Sequence, residues 1–112
     1  MPIHLIQSKA TAEQIADMLV TLHDYIKLAV DIDQGILAGG GALHADCEAV
    51  LLENGSRQES IWGADWVPSS RKVHFEALIN LRPHQDNLSM TIQDPKVRSR
   101  VEEIAHTLLG DD

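Results

Sequence analysis

The chain has 112 residues and a formal net charge of -8, nine Lys plus Arg against seventeen Asp plus Glu, so its mean field repels nucleic-acid backbones and anionic membrane surfaces. With 44% hydrophobic and 23% charged residues it is composed as a folded globule, and its length suits one domain over 1–112 with a single core. One Cys excludes an intramolecular disulfide, no apolar run reaches the ~18 residues of a membrane span, and the start Met1-Pro2-Ile3-His4 lacks a secretory pattern, so a cytoplasmic protein is expected.

Residues 2–7 read as a short first strand. Thr11 through Gln14 is a capping box, in which the Thr11 hydroxyl accepts from the third helical amide and Gln14 reaches back. The helix it opens carries Ile15, Met18, Leu19 and Leu22 on one stripe and is expected to stop near His23-Asp24. From Tyr25 to Ile32 the period changes to two. Ile26, Leu28, Val30 and Ile32 share one face, and Tyr25, Lys27, Ala29 and Asp31 share a mixed one. Asp33-Gln34-Gly35 supplies a turn, and Ile36 to Ala38 returns as a partner strand.

The run Gly39-Gly40-Gly41 then leads into a second helix over about 43–54, with Leu43, Cys47, Val50 and Leu51 as its apolar stripe and Asn54-Gly55 as its stop. Strands follow over 59–66 and 73–81. With Ser69-Ser70 as the loop, partners sum to 139, which sets Trp66 against Val73, Ala64 against Phe75 and Trp62 against Ala77 on the core face. The other face sets Asp65 against His74 and Gly63 against Glu76. Residues 82–87 form a polar loop, Leu88, Met90 and Ile92 alternate as a last strand, and Asp94-Pro95 is an N-cap and N1 proline opening a third helix that closes at Gly110. The order β-α-β-β-α-β-β-β-α implies an α+β domain. Three helices cover one face of a largely antiparallel sheet of five to six strands.

The glycine run before a helix start points amides and the positive end of a helix dipole at an incoming anion. It lacks the Gly-Lys-Ser/Thr of a P-loop and the spaced glycines of a dinucleotide fingerprint. A plain tight turn is therefore the favoured reading of the run itself, and Gly39, Gly40, Gly41, His44 and Asp46 are the candidate residues for a small anionic ligand. Cys47 with His44 would form a nucleophile pair, but the place of Cys47 on the apolar stripe favours its reading as a small core residue. Asp65, His74 and Glu76 on the outer face of the second hairpin form a second candidate site, half of a general-base arrangement or a cross-strand ion pair. His44, Asp46, Cys47 and Glu48 are metal-ligand types, but without CxxC or HExxH spacing no metal or cofactor is assigned.

The phrases at 24–32, 36–41, 44–48, 61–66, 75–80 and 89–95 together resemble a family of small bacterial proteins of unknown function. The resemblance covers nearly the whole chain and implies a free-standing domain. It carries no activity, ligand or catalytic residue. The expected protein binds a small ligand or partner as a homodimer, and the alternative is a small hydrolase or transferase using His44/Cys47 or His74/Asp65.

Overall fold

A computed structural model describes residues 3–110. Its strands are β1 (His4–Ile6), β2 (Ile26–Asp31), β3 (Ile36–Gly39), β4 (Ile61–Val67) and β5 (Lys72–His74), and its α-helices are α1 (Ala12–Met18), α2 (His44–Glu53) and α3 (Pro95–Leu109). The strands form one antiparallel sheet in the order β1-β3-β2-β4-β5, which makes the domain α+β. Pro2, expected in the first strand, lies outside the described residues.

Local signals set the ends of the helices. Both halves of the Thr11–Gln14 capping box form, and Asp94 caps α3 ahead of Pro95. The first helix is regular only to Met18. Irregular turns carry it to His23, whose left-handed φ of 68° and amide bond to the Leu19 carbonyl close it.

The two faces of β2 carry different loads. Ile26, Leu28 and Val30 join Met18, Leu37, Trp62, Trp66, Val101 and Ile104 in the larger core under α1 and α3. On the opposite face Ala29 and Ala38 are small enough to admit α2, which packs Cys47 and Leu51 there with Ile36 and Ile61. Helices therefore cover both faces of the sheet, not the single face expected, because the mixed stripe of β2 is a second packing surface.

The second hairpin keeps its expected register, Asp65 opposite His74 and Trp66 opposite Val73, but β5 stops at His74. The expected pairs Ala64–Phe75 and Trp62–Ala77 do not form. Beyond His74 a side chain takes the place of the strand: buried Asn80 accepts from the Gly63 amide at 2.7 Å and donates to the Gly63 carbonyl at 3.0 Å. Gly63 makes this approach possible, since a methyl there would lie 2.5 Å from the Ala77 Cβ. The chain from Phe75 instead meets the segment expected as the last strand, through the Glu76–Thr91 bridge and the bonds Ala77 N–H to Met90 O and Ile92 N–H to Phe75 O.

The loop between these segments is polar in sequence as expected, yet Arg82 and Asn87 are buried. The Asn87 amide donates to the carbonyls of Asn80, Ser89 and Thr91. Arg82 donates to Ile79 and Gln58 carbonyls, lies 3.4 Å from the buried Glu48 carboxylate and stacks over Trp62.

Asp31, at the end of β2, is almost wholly buried and accepts from the Asp33 and Gln34 amides, the Gln34 side chain and the Ser56 hydroxyl. Burial raises its pKa, but these bonds outweigh it and hold the carboxyl below its ordinary value. A depressed folded pKa gives stability that is fully present above the unfolded value near 3.9 and is lost as pH falls through the folded value. Acid titration of Asp31→Asn should therefore show a flatter loss of stability below about pH 4 than the wild type. Parallel curves from chemical denaturation would show that Asp31 contributes nothing to the acid limb.

Candidate functional site

The glycine run is built into the sheet. Gly39 is the last residue of β3, paired with His4 on one side and Leu28 on the other. An added methyl would lie 2.8 Å from the Leu28 side chain, so a close approach, not an exposed loop, requires glycine here. Gly40 has φ 106°, donates its amide to the Lys27 carbonyl and accepts from the Thr21 hydroxyl. The Gly41 amide donates to the Cys47 sulfur. The amides expected to cradle an anion are thus already engaged.

Cys47 is fully buried and donates to the Lys27 carbonyl at 3.4 Å. Burial pushes its thiol up to about 11, with the nearby Asp46 charge adding to the effect and the Gly41 amide and Lys27 opposing it. At neutral pH it is a packed thiol, not a thiolate, so the expected His44/Cys47 nucleophile pair has no nucleophile. His44 turns elsewhere.

The His44 Nε2 lies 2.8 Å from Asp65 Oδ1 and 3.1 Å from the Ala64 carbonyl. Both partners only accept, so Nε2 carries the proton and donates, which leaves Nδ1 as the acceptor of the neutral ring. Nδ1 has no partner among the described residues. Asp65 is therefore the orienting partner of His44 on α2, although its cross-strand neighbour is His74. The expected Asp65–His74 hydrogen bond is absent among the described residues, and His74 stays exposed. Glu76 turns to the Thr91 hydroxyl at 3.4 Å. Asp46 supports the first turn of α2, where its Cβ abuts Gly41.

Beside His44 is a cavity of about 350 Å³, lined by Lys27, Leu43, His44, Ala45, Glu76, Ala77, Leu78, Ile79 and Met90. It lies at the start of α2, whose N-cap Leu43 offers no side-chain acceptor to the first turn. Lys27 projects from the mixed face of β2 and donates its ammonium to the Ala42 carbonyl at 3.0 Å. The structure thus unites His44 with Asp65 and brings Glu76 to the same cavity, but places the glycines in its support and His74 and Asp46 outside its lining. The sequence reading missed Lys27 and the apolar wall of Ala77, Leu78, Ile79 and Met90. The period-two pattern of β2 had put Lys27 on the face toward α2, which was the available signal for it.

Among the described residues no group of three His, Cys, Asp or Glu side chains is placed to hold a metal ion, and no helix is long and apolar enough to cross a membrane. A family model described as a protein of unknown function, DUF5674, matches residues 4–108. No curated protein and no solved structure matches the chain.

Proposed function

Because the chain belongs to the DUF5674 family of unknown function, we propose from geometry that it is a small ligand-binding protein, a bacterial cytoplasmic homodimer whose ligand is an anion with an apolar body. The observation that carries this reading is the cavity at the start of α2, apolar along one wall and polar at Lys27 and His44. The Lys27 ammonium and the uncapped first turn of α2 attract the anionic head. Leu78, Ile79 and Met90 cover the apolar body. Of the two nearby carboxylates, Asp65 accepts the His44 N–H and Glu76 accepts from the Thr91 hydroxyl, so each is engaged by a donor of the protein.

Octanoate, octan-1-ol and acetate separate the parts of this reading. Calorimetric titration should find octanoate the tightest of the three, and Lys27→Met should weaken it at least tenfold, about 1.4 kcal/mol. Equal affinity for octanol and octanoate would remove the anion site, and no binding of any of the three would remove the ligand reading.

One observation favours a second reading, a small hydrolase or transferase: an Asp-oriented His with an acceptor nitrogen beside a cavity is the arrangement of a general base. It joins His44 to Asp65, a pairing different from both His44/Cys47 and His74/Asp65. No Ser, Thr or Cys lines the cavity, so such an enzyme would act on a proton of its substrate or of water and not through a side-chain nucleophile.

A further inference from the structure

We propose that the apolar rim around the cavity is a twofold interface with a second copy of the chain. This deepens the homodimer reading above by naming its surface, and it does not depend on which ligand enters the cavity.

Five large apolar side chains of the α2 start and of the chain between β5 and α3 stand exposed: Leu78 at 71%, Leu88 at 69%, Leu43 at 58%, and Leu81 and Met90 at 47% each. Leu43, Leu78 and Met90 line the one cavity. Leu81 and Leu88 are adjacent to the Arg82–Asn87 bridge, on the same excursion of chain. Together they leave on the order of 500 Å² of apolar surface bare, the upper part of what an ordinary monomer tolerates. Pairing two such faces buries ~1,000 Å², the lower bound of a specific interface.

Charge supports a second copy as the occupant. In a chain with a net charge of -8, no charged residue stands in 77–81 or 87–93, so the acidic excess that keeps copies apart is missing from this face. The charged residues of the cavity lining are one cation and one anion, Lys27 and Glu76. A twofold axis sets Lys27 of each copy toward Glu76 of the other, giving two complementary contacts from one patch. The second copy also roofs the mouth of the cavity.

Sedimentation velocity of the full chain over a range of micromolar concentrations tests this. The wild type should sediment as a dimer, and Leu78→Glu with Leu88→Glu should sediment as a monomer with unchanged far-UV circular dichroism, since neither side chain is buried. Glu76→Lys, also exposed, should weaken the dimer by placing two cations against each other. A wild type that stays monomeric overturns the surface and the homodimer reading together. A dimer that withstands both the paired leucine substitutions and Glu76→Lys overturns the surface alone.

Discussion

Replacing Asn80 by Ala is expected to cost about 3–5 kcal/mol of stability, because it leaves several buried polar groups without partners at once. The Asn80 amide is fully buried and serves the Gly63 amide and carbonyl, with further contacts to the Phe75 and Met90 carbonyls at 3.3 and 3.2 Å. Alanine can neither donate nor accept there, and water cannot enter without opening the Gly63–Ala77 contact. Asn80→Asp separates the donor from the acceptor role. It keeps an oxygen for the Gly63 amide but turns a carboxylate toward three carbonyl oxygens. Denaturant unfolding should therefore rank wild type above both variants, with Asp no better than Ala. A cost below about 1 kcal/mol for either, the value of an ordinary solvated hydrogen bond, would show that Asn80 is not the clamp described.

Arg82→Met should be comparably damaging, about 3–5 kcal/mol, by a different route. Burial draws the guanidinium below its ordinary pKa, and the neighbouring Glu48 charge opposes that shift. Removing the cation leaves the Glu48 carboxylate buried without its counter-charge and also frees the Gln58 and Ile79 carbonyls. Because much of the loss comes from the stranded carboxylate, adding Glu48→Leu to Arg82→Met should recover a large part of it. A double variant no more stable than Arg82→Met would mean that the carbonyl contacts and the Trp62 stacking, not the ion pair, carry the effect.

These two residues mark where the sequence was hard to read. Periodicity and capping were legible because their causes are local: Thr11 with Gln14, Asp94 with Pro95, and the alternation of Ile26, Leu28 and Val30 each report on a few adjacent residues. The Asp65–His74 register was legible for the same reason, since a short turn fixes it. Phe75 through Leu81 alternates as well as any strand, yet it leaves the sheet because Gly63 lacks a Cβ and Asn80 takes over its backbone bonds from 17 residues away. No local pattern carries that information.

The candidate site divides in the same way. His44 and Asp65 were each legible as chemically competent side chains, but they stand 21 residues apart and meet only because α2 lies across the face of β2 and β4. Cys47 was read correctly as a member of the apolar stripe. The glycine run misled because three glycines look like a loop, whereas Gly39 is demanded by the Leu28 side chain packed against it.

The Asn80 clamp has a consequence for how copies of this protein meet. Beyond His74, the backbone groups of Gly63 that would face a neighbouring strand are already satisfied by a side chain of the same molecule. That stretch of sheet edge has no free rung on which another polypeptide could template itself, and what remains of β5 is three residues with Lys72 and His74 turned to solvent. Open-ended growth by strand addition is blocked on this side. Any contact made there is left to side chains.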